Sequence, residues 1–107
     1  MCKERMVKNM YVNICGIKHK IIECEDNFAI DEVHFGMIDF KHAAIKINKD
    51  MNEDVKDETI CHEMLQAILV HIGREDLSTD EQFVQALGNA IFQSFDIIVE
   101  NDENDHL

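Results

Sequence analysis

The pentapeptide His62-Glu63-Met64-Leu65-Gln66 carries the residue types that could do chemistry in this chain. It has the form H-E-x-x-Q, one residue away from the H-E-x-x-H helix. In that helix two histidines four apart bind Zn²⁺ and the glutamate between them activates the metal-bound water. On a helix, His62 and Gln66 fall on one face, about 6 Å apart along the axis, with Glu63 rotated about 100° away. Gln66 is a poor zinc ligand, because its amide oxygen is neutral where zinc sites use Cys, His or carboxylate. Glu63 keeps the base position of the motif, while Gln66 alters one ligand position.

Other residues could complete such a site only through the fold. His71 is nine residues beyond His62 and lies about 180° round the same helix. His19, His34 and His42 fall in a strand-rich region and could reach across, although nothing in their spacing requires it. Cys61 is about 100° round from His62 and reads as a core thiol.

These residues must be positioned by a single domain of 107 residues, 46% of them hydrophobic, with no proline and no tryptophan. Met10 to Cys15 and Ile17 to Cys24 are β-prone runs divided at Gly16, which predicts a hairpin. Gly36 to Phe40 and Ala43 to Asn48 predict a second strand pair, Ile45 and Ile47 alternating with polar neighbours. Glu25 to Val33 reads as an acidic loop or short helical turn. From Asn52, a cap followed by Glu53 and Asp54 predicts a helix that stops at Gly73. Its stripe would be Val55, Thr59, His62, Leu65/Gln66, Leu69 and Ile72. A second helix is expected after a capping box made by Ser78 with Glu81 or by Thr79 with Gln82. Its stripe would run through Phe83/Val84, Leu87, Ala90/Ile91, Ser94/Phe95 and Ile98. Residues 1–99 would form the domain and residues 100–107 an acidic tail. The expected class is α+β: a small, mostly antiparallel sheet of three or four strands on two C-terminal helices.

Ten basic against 22 acidic residues give a formal charge of −12. That charge argues against direct contact with nucleic acid or anionic membranes and would steer the chain toward a basic partner. Lys3, Arg5 and Lys8 are not followed by an apolar segment, so a secretory signal is not expected. Cys2, Cys15, Cys24 and Cys61 form no C-x-x-C pair and are expected as reduced thiols in the cytoplasm. Met37, Phe35, Phe40, Phe92 and Phe95 exceed what two short helices need to cover one small sheet, so a homodimer surface is a further expectation.

Four stretches carry a resemblance. Gly36-Met-Ile-Asp-Phe-Lys and Ile45-Lys-Ile-Asn precede Glu58-Thr-Ile-Cys-His-Glu-Met-Leu-Gln-Ala-Ile-Leu, and Asp80-Glu-Gln-Phe-Val-Gln-Ala-Leu-Gly-Asn-Ala-Ile-Phe-Gln follows. Over roughly Tyr11 to Phe95 the chain resembles short phage and prophage proteins regarded as minimal zincin-like domains, distantly similar to ImmA/IrrE metallopeptidases. The resemblance implies a small sheet, a motif helix and a second helix carrying an acidic third ligand. His62 then matches the first ligand and Glu63 the general base. Gln66 stands at the second ligand, and Glu81 is the best carboxylate for the third. Gln82 and Gln85 occupy neighbouring positions, and Gln66 and Gln85 read as polar replacements that satisfy a cavity without a metal.

The function this implies is that of a phage or mobile-element accessory protein. It would bind a host or phage protein in the host-cell cytoplasm, one with a basic nucleic-acid-binding surface, as an anti-repressor or an anti-CRISPR-type inhibitor of a host defence. No cofactor is expected. The alternative is a zinc-dependent metallopeptidase in which His62, Glu81 and a strand histidine hold Zn²⁺ and Glu63 polarises water.

Overall fold

The computed structural model describes residues 4–24 and 36–101. The fold is α+β. Its order is β1 (Glu4–Ile14), β2 (Ile17–Cys24), β3 (Gly36–Asp39), β4 (Ala44–Asn48), α1 (Glu53–His71), α2 (Glu75–Ser78), α3 (Glu81–Ser94) and β5 (Glu100–Asn101). The sheet runs β3-β4-β2-β1-β5. β2 and β4 are parallel, and the other pairings are antiparallel. Glu100 and Asn101, expected in the tail, instead pair with Tyr11 and Met10 at the sheet edge. The tail beyond them, the segment from Glu25 to Val33, His34 and Phe35 lie outside the described residues.

The hairpin forms where the β-prone runs meet. Cys15 and Gly16 both take positive φ, 50° and 81°, the geometry of the type I′ turn that suits the twist of paired strands. Alternation then sorts the side chains. Val12 and Ile14 of β1, Ile21 of β2, and Ile45 and Ile47 of β4 are buried on one face, covered by Ile60 and Ala67 of α1.

Helix α1 starts where Asn52 accepts a 2.8 Å hydrogen bond from the Asp54 amide. It ends in a Schellman motif at Gly73, whose φ is +83°. The Arg74 amide donates to Leu69 O and the Gly73 amide to Val70 O. The buried set of α1 is Thr59, Ile60, Cys61, Glu63, Leu65, Ala67 and Leu69. This corrects the expected stripe, because Val55 and Ile72 are exposed and His62 is only half-buried. The reason is that α1 is packed on two sides. Ile60 and Ala67 meet the sheet, while Leu65 and Leu69 meet Val84 of α3 in a separate apolar cluster. α3 therefore forms a third layer, resting on α1.

The capping box is also corrected. Asp80 is the N-cap of α3, accepting from the Phe83 amide at 3.1 Å. Ser78 closes the short helix α2, a turn of helix not expected from the sequence. The Thr79 hydroxyl donates back to Glu75 O and Asp76 O.

Cys15 and Cys61 are free thiols. Cys24 is disulfide-bonded, against the expectation of reduced thiols throughout. Scattered cysteines give no spacing signal from which a pairing could be read. Among the described residues no helix is long and apolar enough to cross a membrane.

Gly36 of β3 lies directly against Thr59 of α1. A Cβ there would stand 2.6 Å from Thr59 Cγ2 and 3.2 Å from Lys46 O. Gly36→Ala is expected to cost about 1–3 kcal/mol by overpacking. Adding Thr59→Ser, which removes the clashing methyl, should recover most of that loss in urea denaturation.

Candidate functional site

The site is a polar seam on α1 between its two apolar faces. His62 and Gln66 are one turn apart, and Glu81 enters from the first turn of α3, where a carboxylate suits the positive end of the helix dipole. Placing Asp80 at the cap fixes that first turn against α1. The three residues singled out in the sequence do converge. His62 Nε2 lies 3.7 Å from Glu81 Oε2. Gln66 Nε2 donates to Glu81 Oε1 at 3.3 Å and to Ser78 O at 3.2 Å. The Ser78 hydroxyl returns a hydrogen bond to Gln66 O at 3.2 Å.

The Ser78 carbonyl decides which way the Gln66 amide points. A backbone carbonyl can only accept, so the atom facing it must be the amide nitrogen. Gln66 therefore presents N–H groups to Ser78 and Glu81. A cation in the seam would meet donors where it needs lone pairs. Gln85, expected to share this role, does not. It is exposed on α3 and donates to Asn89 Oδ1 at 3.2 Å. An open groove of about 520 Å³ along Glu81, Gln82, Gln85 and Ala86 borders the seam on the solvent side.

Glu63 is buried, 6% exposed. It lies about 100° round α1 from His62, on the stripe that carries Ile60 and Ala67 into the sheet. The seam itself faces water more: the side chains of His62 and Glu81 are 20% and 59% exposed.

His19 and His42 have other partners. The His19 ring is buried, its Nδ1 lies 2.8 Å from Ile17 O, and it meets His71 edge-on with centroids 6.3 Å apart. His71 is about 13 Å along α1 from His62, so neither ring reaches the seam. His42 hydrogen-bonds Asp39 at 2.9 Å and holds that carboxyl below its usual value, with Lys46 adding a weaker pull. Cys61 Sγ faces Gly88 O at 3.7 Å, and burial, with Glu58 nearby, pushes the thiol pKa up. Buried between α1 and α3, it serves as a packing residue.

Among the described residues, no group of three His, Cys, Asp or Glu side chains could hold a metal ion. His62 and Glu81 supply two donors, where a catalytic zinc takes three protein ligands and a structural zinc four. Among the described residues, the donor set falls short of the ligand number that zinc takes. Ser78 and α2 are what sequence reasoning missed. The signal was present in Asp76-Leu-Ser-Thr-Asp80, a run rich in capping residues just after a helix stop. No family model, curated protein or solved structure matches the chain.

The seam has a ranked set of energies. Gln66→Ala removes both donated bonds and leaves the carbonyl of buried Ser78 short of a partner, an expected loss of about 1–2 kcal/mol. Glu81→Gln keeps a side-chain oxygen on a largely exposed residue, and its loss should stay under about 0.5 kcal/mol. Denaturant midpoints of the two variants check the order.

Proposed function

We propose that this chain is an accessory protein of a phage or mobile element. Its zincin-like scaffold, related to ImmA/IrrE metallopeptidases, no longer performs hydrolysis and acts by binding a host or phage protein. The observation that supports this most is the Gln66 amide, which fills the second ligand position with hydrogen-bond donors and ties the carboxylate of Glu81 into the same network. A scaffold whose ligand position is converted into a structural tie keeps its fold without its chemistry, since fold and activity are separable.

The charge supports the kind of partner. A formal charge of −12 on 107 residues steers association toward a basic surface and competes with nucleic acid for it. A repressor or a defence nuclease offers such a surface, so the action is that of an anti-repressor or an anti-defence inhibitor in the host cytoplasm. In that compartment the Cys24 bridge would face a reducing poise.

The test is co-expression of the chain with a repressor-controlled reporter or a CRISPR-type interference assay. The wild type should relieve repression or interference, and Glu63→Gln should do so equally. An effect that disappears with Glu63→Gln, in a variant whose unfolding midpoint is unchanged, would point back to hydrolysis.

A further inference from the structure

The apolar packing between α1 and the rest of the domain is incomplete near the N-terminal half of α1. A cavity of about 390 Å³ opens there, walled by Asp57 and Ile60 of α1, Phe92 of α3, and Asp96, Ile97 and Val99 of the segment leading to β5. A smaller hollow of about 180 Å³ shares Asp57, Ile60 and Val99 with it and runs inward to Met10, Ile21 and Ile47. The larger volume falls in the range of pockets that enclose small ligands or single side chains. Phe95, also on its wall, is 67% exposed, so an apolar rim faces solvent.

The charges on these walls are unequal. Lys56 in the inner hollow is held by Glu23 at 2.7 Å and Glu53 at 3.6 Å. Among the described residues, Asp57 and Asp96 have no cationic partner. Burial, and then the like charges of Glu53 and Asp54, push the Asp57 carboxyl above its usual value. An anion would be repelled from this cavity. A purely apolar guest would desolvate Asp57 further with no compensation. A group that is apolar along its stem and cationic at its tip satisfies both wall types. A guanidinium is the best such tip, because it pairs with carboxylates and stacks on rings such as Phe92.

We propose that this cavity receives an arginine side chain, flanked by apolar residues, from a basic segment of a partner protein. The identity of the guest's carrier rests on the binding-protein reading above, whereas the pocket's preference for an apolar cation does not. Phe95 at the rim would meet the flanking apolar residues, and Asp57 and Asp96 would meet the charge.

The test uses the full chain, isotope-labelled for nuclear magnetic resonance. It is titrated with the peptide acetyl-Leu-Arg-Leu-amide and with its analogue carrying norleucine in place of arginine. The arginine peptide should saturate, with shifts concentrated at Ile60, Phe92, Asp96 and Val99. The norleucine peptide should bind at least about ten-fold more weakly. Asp57→Asn with Asp96→Asn should lose a similar factor while keeping a dispersed native spectrum, and Asp96→Asn alone should lose part of it. Equal affinity for the two peptides, equal affinity of wild type and double variant, shifts mapping elsewhere, or no saturation at millimolar peptide would each overturn the proposal. If the arginine peptide fails while the co-expression effect persists, the pocket is wrong and binding lies on another surface. If the peptide binds as described with no co-expression effect, the pocket stands without the phage-type role.

Discussion

The double burial of α1 is the constraint on which the rest of this structure depends. Ile60 and Ala67 are fixed by the sheet, and Leu65 and Leu69 by α3. Each fully buried aliphatic side chain is worth about 1.5–3 kcal/mol, so these contacts outweigh any single hydrogen bond in the molecule. A helix held on two sides leaves two narrow seams between its apolar faces. His62 and Gln66 occupy one of them. The approach of α1 to the sheet is close enough at Thr59 that β3 needs a glycine opposite it.

The polar seam works within that frame. Packing brings α3 against α1, and the Gln66 bonds to Ser78 and Glu81 set how the loop between α1 and α3 is seated. A net worth of about 1 kcal/mol for each such bond is too small to hold two helices together. It is enough to prefer one seating of α2 over its neighbours. The geometry that would let two side chains share a metal here lets an amide and a carboxylate share a hydrogen bond. Gln66 gives the seam an amide donor where the H-E-x-x-H pattern has an imidazole.

Much of this was legible in the residues. The turn at Gly16, the cap at Asn52 and the stop at Gly73 rest on local backbone chemistry, and local chemistry is written in a few adjacent residues. The convergence of His62, Gln66 and Glu81 was also legible, because helical spacing puts the first two on one face and the second helix must return along the first. The stripe on α1 was misjudged, since a helix packed on two sides has no single apolar period to find. The cap of α3 was misplaced because Ser78, Thr79 and Asp80 are all good caps, and only the tertiary bonds of Ser78 to Gln66 remove it from the competition. The pairing of β2 with β4 and the hollow beside Asp57 are long-range outcomes with no local signature.

We propose that the H-E-x-x-Q helix is tied by the Gln66 hydrogen bonds and is not a metal centre. Calorimetric titration of chelator-stripped wild-type protein with Zn²⁺ tests it most directly. No one-to-one binding tighter than about 10 μM is expected, a figure that corresponds to roughly 7 kcal/mol against the far stronger affinities of full zinc ligand sets. Stoichiometric binding in the nanomolar range, abolished by His62→Ala and by Glu81→Ala, would contradict it.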